Sequence, residues 1–319
     1  MRAAAARLGR VVAGRALRPQ VSFAHRFHRP PYGGSNQFLL ALAGELRRRG
    51  VRVGANIAYP GTRGIVVNSF LFDEPQLAAM VRRGARVVHR VDGPVSTYRG
   101  TDDGTDARIV DVNRRFADVT VFQSRYSLEK HRELGIELHD PRVITNAVDP
   151  TIFYGGAREP VRARRVRLIA TSWSDNPNKG AALYAWLDEH LDRDRYELTF
   201  VGRLPVALAH ARSIPPVDSQ GVAALLREHD VYITASRHEP CSNALLEALA
   251  CGLPAVYLDS GSHGELVGEA GAAFHGEDDV LAAIDTVTDR LDEFRSSIRV
   301  TSIDEVAQGY LDALGIEAQ

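Results

Sequence analysis

Cysteine is nearly absent from this chain: Cys241 and Cys251 are its only two. They stand at opposite ends of one helix-forming stretch, so the rise along a helix would part them by roughly 14 Å. A disulfide needs Cα atoms within about 7 Å, which excludes pairing between them. Neither has paired histidines nearby, so a structural zinc site is not expected. The simplest setting for two cysteines that cannot pair with each other is a reducing cytoplasm. Long apolar runs are missing as well, and nothing approaches the ~18 consecutive residues of a membrane span. Charge of one sign is also missing, since the formal net charge is −1 and the sequence pI about 6.8. No overall basic field therefore argues for nucleic acid. Lysine is scarce too, with Lys130 and Lys179 alone among 39 basic residues, a bias that reads as genome composition.

What is present is an alternating pattern over 319 residues, enough for two domains with separate cores. Short runs rich in Val, Ile and aromatic residues alternate with helix-forming stretches, as a parallel α/β fold requires. The expected organisation is a basic arm over 1–20, a Rossmann-like domain over 21–153, a linker over 154–165, a second Rossmann-like domain over 166–300, and a terminal helix over 301–319. That helix, started by a Ser302/Glu305 capping box, is expected to cross back onto the first domain. The arm carries Arg2, Arg7, Arg10, Arg15 and Arg18 and no acid. It reads either as a basic amphipathic helix resting on anionic lipid or as a disordered extension.

The most informative stretch is residues 230–259. Val231-Tyr232-Ile233-Thr234 and Ala255-Val256-Tyr257-Leu258 have the length and composition of strands covered on both faces. Between them Ala244 to Ala250 is strong helix-former sequence, with Ser242 or Asn243 as cap and Gly252 and Pro254 as stops. The loop from such a strand into its helix opens at the carboxyl edge of the sheet, where ligands bind. Here it holds Ser236, Arg237, His238, Glu239, Ser242 and Asn243. The helix N-terminus favours a phosphate without a metal. Glu239 and Glu247 bracket that start, and carboxylates suit hydroxyl groups, which donate to them. Hydroxyls on both sides of a diphosphate describe a nucleotide-sugar.

Further candidates lie at corresponding places. Gly33-Gly34 precedes the amphipathic stretch 36–46, where glycine lets backbone approach a ligand at a helix start. Asp92 ends the strand 85–91; it either faces a ligand or forms an Asx turn before Gly93. Lys179 stands at another loop-to-helix entry. The acidic loop at Asp102, Asp103 and Asp106 lacks calcium-loop spacing, and Asp192-Arg193-Asp194 lies in a charged turn, so neither is read as a metal site. Neither half shows Gly-x-Gly-x-x-Gly after its first strand, which disfavours a dinucleotide oxidoreductase.

The segment from Ser236 through Glu239 and Glu247 to Ala250-Cys251-Gly252-Leu253-Pro254 resembles the two-glutamate motif of the retaining GT-B glycosyltransferases of family 4. Pro31-Tyr32-Gly33-Gly34-Ser35-Asn36 is similar to that family's N-terminal glycine loop, and Lys179 to its diphosphate-binding lysine. The resemblance implies two Rossmann-like domains facing each other across a cleft. It implies a hexosyltransferase of class EC 2.4 that is metal-independent and without a cofactor. The donor would be a nucleotide diphosphate-sugar and the acceptor a glycan or lipid-linked hydroxyl. Polysaccharide or glycolipid synthesis in the bacterial cytoplasm, at the inner face of the membrane, would be the setting. It also implies the roles: Glu239 and Asp92 at the reacting centre, and Lys179, Glu247, Ser242, Asn243, Ala244, Arg237, Gly33 and Gly34 on the donor. Two departures stand out. Pro240-Cys241-Ser242-Asn243 replaces a glycine-rich loop, and no arginine lies in the loop from Ser172 to Asn178 before Lys179, which leaves Arg237 and Arg203 as substitutes. The alternatives are a nucleotide-sugar 2-epimerase on the same fold and a non-catalytic nucleotide-sugar-binding protein.

Overall fold

A computed structural model describes residues 18–29, 33–156 and 164–317. The basic arm up to residue 17, Pro31 and Tyr32 of the glycine loop, and linker residues 157–163 lie outside the described residues. The chain divides into two units, residues 1–147 with 301–319, and residues 148–300.

The first unit is built on six parallel strands: β1 Val21–Ala24, β2 Val53–Ala55, β3 Gly64–Asn68, β4 Arg86–Val91, β5 Val119–Phe122 and β6 Pro141–Val143. Their spatial order is β2-β1-β3-β4-β5-β6. Each of β1, β3 and β5 is buried along its whole length, as expected of strands covered on both faces. The helices Gly34–Arg48 and Ile303–Leu314 pack together over one face. Their core joins Phe38, Leu39, Leu42 and Leu46 to Val306, Tyr310, Leu311 and Leu314. The terminal helix thus belongs to the first sheet's core although the second unit separates it in sequence. It starts with the Ser302/Glu305 capping box, and Asp304 pairs with Arg49 at 2.7 Å.

The second unit has β7 Val166–Ser172, β8 Tyr196–Gly202, β9 Arg212–Ile214, β10 Val231–Thr234, β11 Ala255–Leu258 and β12 Gly271–Phe274. All pair in parallel, in the order β12-β11-β10-β7-β8-β9. One face carries Tyr184, Leu187, Ile284 and Val287 of the helices Ala181–His190 and Glu277–Asp289. The other carries Leu226, Leu245, Leu249 and Leu266 of the helices Ser219–Glu228, Asn243–Ala250 and His263–Val267.

The short edge strands β6 and β9 were not legible as strands, because three half-exposed residues carry no apolar run. Pro141 in β6 fits an edge, where its missing N–H costs no ladder bond. The order of the second sheet reverses between β7 and β10: the chain winds outward through β8 and β9, then returns to lay β10 against the other side of β7. The loops leaving β7 and β10 therefore diverge at a switch point, where an open α/β sheet binds its ligand.

Candidate functional site

Those two loops carry Lys179 and Glu239. After β7 the chain runs through a 3-10 turn, Pro177–Lys179, and then Gly180 at φ 79° into the helix Ala181–His190. A Cβ on Gly180 would stand 2.5 Å from the Ala235 carbonyl oxygen, so only glycine lets the two loops pass this closely. Arg237 N–H donates to the Asn178 carbonyl at 2.7 Å and ties them together. Ala235 N–H donates to the buried Tyr184 hydroxyl at 3.0 Å, fixing the loop's root. The Lys179 ammonium then donates directly to Glu239 Oε1.

A third loop, after β11, closes on the same point. Ser262 N–H donates to the Glu239 carbonyl at 2.9 Å, and His238 N–H to Ser260 Oγ at 3.0 Å. Gly261 at φ 66° permits this, since a Cβ there would lie 2.6 Å from both Glu239 N and O. His263 is fully buried; its Nδ1 donates to the Leu258 carbonyl at 3.0 Å, which leaves Nε2 as the bare acceptor, without a partner. Burial pushes its pKa down, so the ring is neutral at pH 7.

The two glutamates differ in charge state. Burial alone would raise the Glu239 carboxyl, but the Lys179 ammonium, through charge and hydrogen bond, outweighs it and holds the group below its ordinary value. Glu247 lies in the second turn of Asn243–Ala250, and desolvation pushes it up to about 8. It is therefore a neutral acid at pH 7, able to donate as well as accept. The buried Tyr232 hydroxyl, bonded to Thr171 Oγ1 at 3.0 Å, lies in the field of both. Ser242 is the cap of that helix, its Oγ accepting from Leu245 N–H at 3.4 Å, with Asn243 and Ala244 in the first turn. Arg203, after β8, stacks its guanidinium on Trp173 at 5.0 Å. Arg237 is exposed and lines a cavity of about 410 Å³ with Leu258, Phe274 and Glu277.

Asp92, Gly33 and Gly34 lie in the first unit. Gly33 and Gly34 open the helix Gly34–Arg48, which has no side-chain cap. Asp92 follows β4 and does not make the Asx turn: the next helix, Val95–Arg99, is held by Asp106, which accepts from Val95 N–H at 2.7 Å and Ser96 N–H at 3.0 Å. Asp92 Oδ1 instead accepts from Gln123 Nε2 and, at 3.2 Å, from Arg90 Nη1. Sequence reading overlooked Arg90, Gln123 and Asn146. A charged residue one step before the end of an otherwise buried strand was the signal for Arg90.

Among the described residues no three His, Cys, Asp or Glu side chains converge to hold a metal ion, and no helix is long and apolar enough to cross a membrane. Both cysteines are buried.

Residues 171–293 match the family of glycosyl transferases group 1. No curated protein matches the chain in sequence. HepE of Anabaena, solved with UDP-glucose, superposes with a TM-score of 0.71 at 15% identity, covering 92% of this chain and 99% of that one. AviGT4, a glycosyltransferase involved in avilamycin A biosynthesis, gives 0.64 at 17% identity, covering 92% and 96%. Sucrose-phosphate synthase of Thermosynechococcus elongatus gives 0.56 at 16% identity, covering 97% and 88%. Residues 171–293 thus form a glycosyl transferases group 1 domain, and the chain, with its two six-stranded parallel sheets, shares the fold of these structures.

Proposed function

We propose that this protein transfers a sugar from a nucleoside diphosphate donor to an acceptor hydroxyl with retention, in the synthesis of a bacterial polysaccharide or glycolipid, without a metal ion. The observation that carries this reading is the Lys179–Glu239 pair at the switch point of the second sheet, with Glu247 in the second turn of the helix that follows. A donor would part the pair. Its diphosphate takes the Lys179 ammonium together with the amides at the start of Asn243–Ala250, and its sugar hydroxyls donate to the freed Glu239 carboxylate. Glu247, carrying its proton, both donates to and accepts from the ribose diol. Ser242, Asn243, Ala244 and Arg237 complete the donor contacts, and Gly33-Gly34 brings backbone amides to the phosphates.

In the first unit we assign Asp92 to the acceptor hydroxyl, which it orients by accepting its hydrogen bond. The bond from the anomeric carbon to the phosphate oxygen breaks, the bond to the acceptor oxygen forms on the same face, and the acceptor's proton passes to the departing diphosphate. Negative charge builds on that diphosphate, where a fixed ammonium and helix-start amides are most effective.

The test is thermal stabilisation by UDP-glucose, GDP-mannose, UDP and GDP in the presence of a chelator, repeated on Glu247→Ala. Products from the donor that binds are then assayed with a panel of alkyl glycosides and polyprenyl phosphates. A shift with one nucleotide, lost in the variant, followed by transfer with the donor's anomeric configuration, is the expected result. Conversion of the donor to its 2-epimer without acceptor would identify an epimerase. No shift in folded protein would overturn the donor site.

A further inference from the structure

The carboxyl edge of the first sheet carries a closed ring of polar side chains. Four successive strands each contribute at their ends: Asn68 from β3, Arg90 and Asp92 from β4, Gln123 after β5 and Asn146 after β6. Arg90 Nη1 donates to Asn68 Oδ1 at 2.6 Å and to Asp92 Oδ1 at 3.2 Å, and Nη2 donates to Asn146 Oδ1 at 3.2 Å. Asn146 Nδ2 donates to Gln123 Oε1 at 2.8 Å, and Gln123 Nε2 returns to Asp92 Oδ1 and to the Val91 carbonyl at 3.0 Å. The guanidinium lies over the Phe38 ring at 4.9 Å. Arg90, Asn68 and Asn146 are wholly buried, whereas the Asp92 side chain keeps 15% of its surface exposed.

A buried guanidinium is costly unless its donors are filled, and an apolar side chain of similar volume would commonly serve stability as well or better. Here Nε has no partner, so the site is not optimised for stability. What the ring does is geometric. It engages Oδ1 of Asp92 twice, and among the described residues nothing donates to Oδ2. The carboxylate is thus held by one oxygen from beneath and offers the other.

We infer that Arg90 is the positioning residue of Asp92, with Gln123 as its second support, so that the ring fixes the orientation in which Asp92 receives an acceptor hydroxyl. This rests on the assignment of Asp92 made above. Lysine cannot replace arginine in this role, because a point charge on a flexible stem cannot serve Asn68, Asn146 and Asp92 from one plane.

The experiment compares Asp92→Asn, Arg90→Lys, Gln123→Met and the double variant Arg90→Lys/Asp92→Asn, using the donor–acceptor pair that the wild type turns over in the panel above. The circular dichroism spectrum and the melting temperature of each variant are the control for fold. Asp92→Asn should lower kcat about 10²-fold. Arg90→Lys and Gln123→Met should each lower kcat at least about tenfold, with the donor KM within about twofold of wild type. The double variant should be no slower than Asp92→Asn, as for groups acting as one unit. Wild-type kcat in both Arg90→Lys and Gln123→Met, or additive losses in the double variant, would overturn the positioning role and leave the Asp92 assignment standing. A kcat restored at low temperature would mean that Arg90 only supports the fold, and would overturn it as well. Wild-type kcat in Asp92→Asn, or no turnover of any pair by the wild type, would overturn assignment and inference together. Should Arg90→Lys not fold, Gln123→Met decides.

Discussion

Lys179 and Glu239, 60 residues apart in the chain, form a direct hydrogen-bonded ion pair across the loops that leave β7 and β10. The pair is partly exposed, with side-chain surface of 30% on Lys179 and 17% on Glu239, so a ligand can reach both. Each partner satisfies the other, and in the complex proposed above a diphosphate would compete for the ammonium.

Glu239→Gln keeps the shape and removes the charge. Transfer should fall about 10²–10³-fold with the circular dichroism spectrum unchanged, the loss typical of one group that stabilises or aligns a transition state. Lys179→Met should weaken nucleoside diphosphate binding in particular, read by titration calorimetry against the nucleoside alone. Equal loss for diphosphate and nucleoside would remove Lys179 from the phosphate site.

The Glu247 carboxyl is raised to about 8 by burial. Its folded-state pKa lies above the unfolded value, so the folded protein binds the extra proton. The stability contributed by this group is full below about pH 4.5 and is lost as pH rises toward 8. The melting temperature of the ligand-free protein should therefore fall from pH 5 to pH 8 by several degrees more in wild type than in Glu247→Gln. Parallel curves would show that Glu247 is ionised throughout.

Gly261→Ala forces a Cβ into the Glu239 backbone, 2.6 Å from its N and O, at a φ of 66°. The loop must shift, which destabilises by roughly 1–3 kcal/mol. The same shift displaces Glu239. Donor binding, followed by thermal shift, should weaken with it; unchanged binding would place the sugar away from this loop.

Leu311→Ala empties a fully buried position in the terminal helix, against the helix Gly34–Arg48. A cost of about 2–5 kcal/mol is expected. In denaturant titration it should lower the transition of the first unit and spare nucleotide-induced stabilisation of the second. A fall in both would mean that the units unfold together.

The strand, helix and strand of residues 231–258 were legible because their signals are local. The strands β10 and β11 are continuous apolar runs, and Ser242 caps the helix between them as its side chain allows. The holding of Val95–Arg99 by Asp106 was invisible, since it joins residues across a turn. Arg90 and Asn146 were passed over because each looks like an ordinary polar residue until the sheet lays four strand ends side by side.

The sequence by itself determined the alternating α/β class, the two-glutamate helix, the placement of glycines at helix entries and the kinship those residues express, because periodicity, capping and turn chemistry act over a few neighbouring residues. Only the tertiary structure decided that Lys179 meets Glu239, that burial raises the Glu247 carboxyl and that Asp92 is held by a buried arginine. Those properties depend on which distant segments are packed together and on how much water that packing removes.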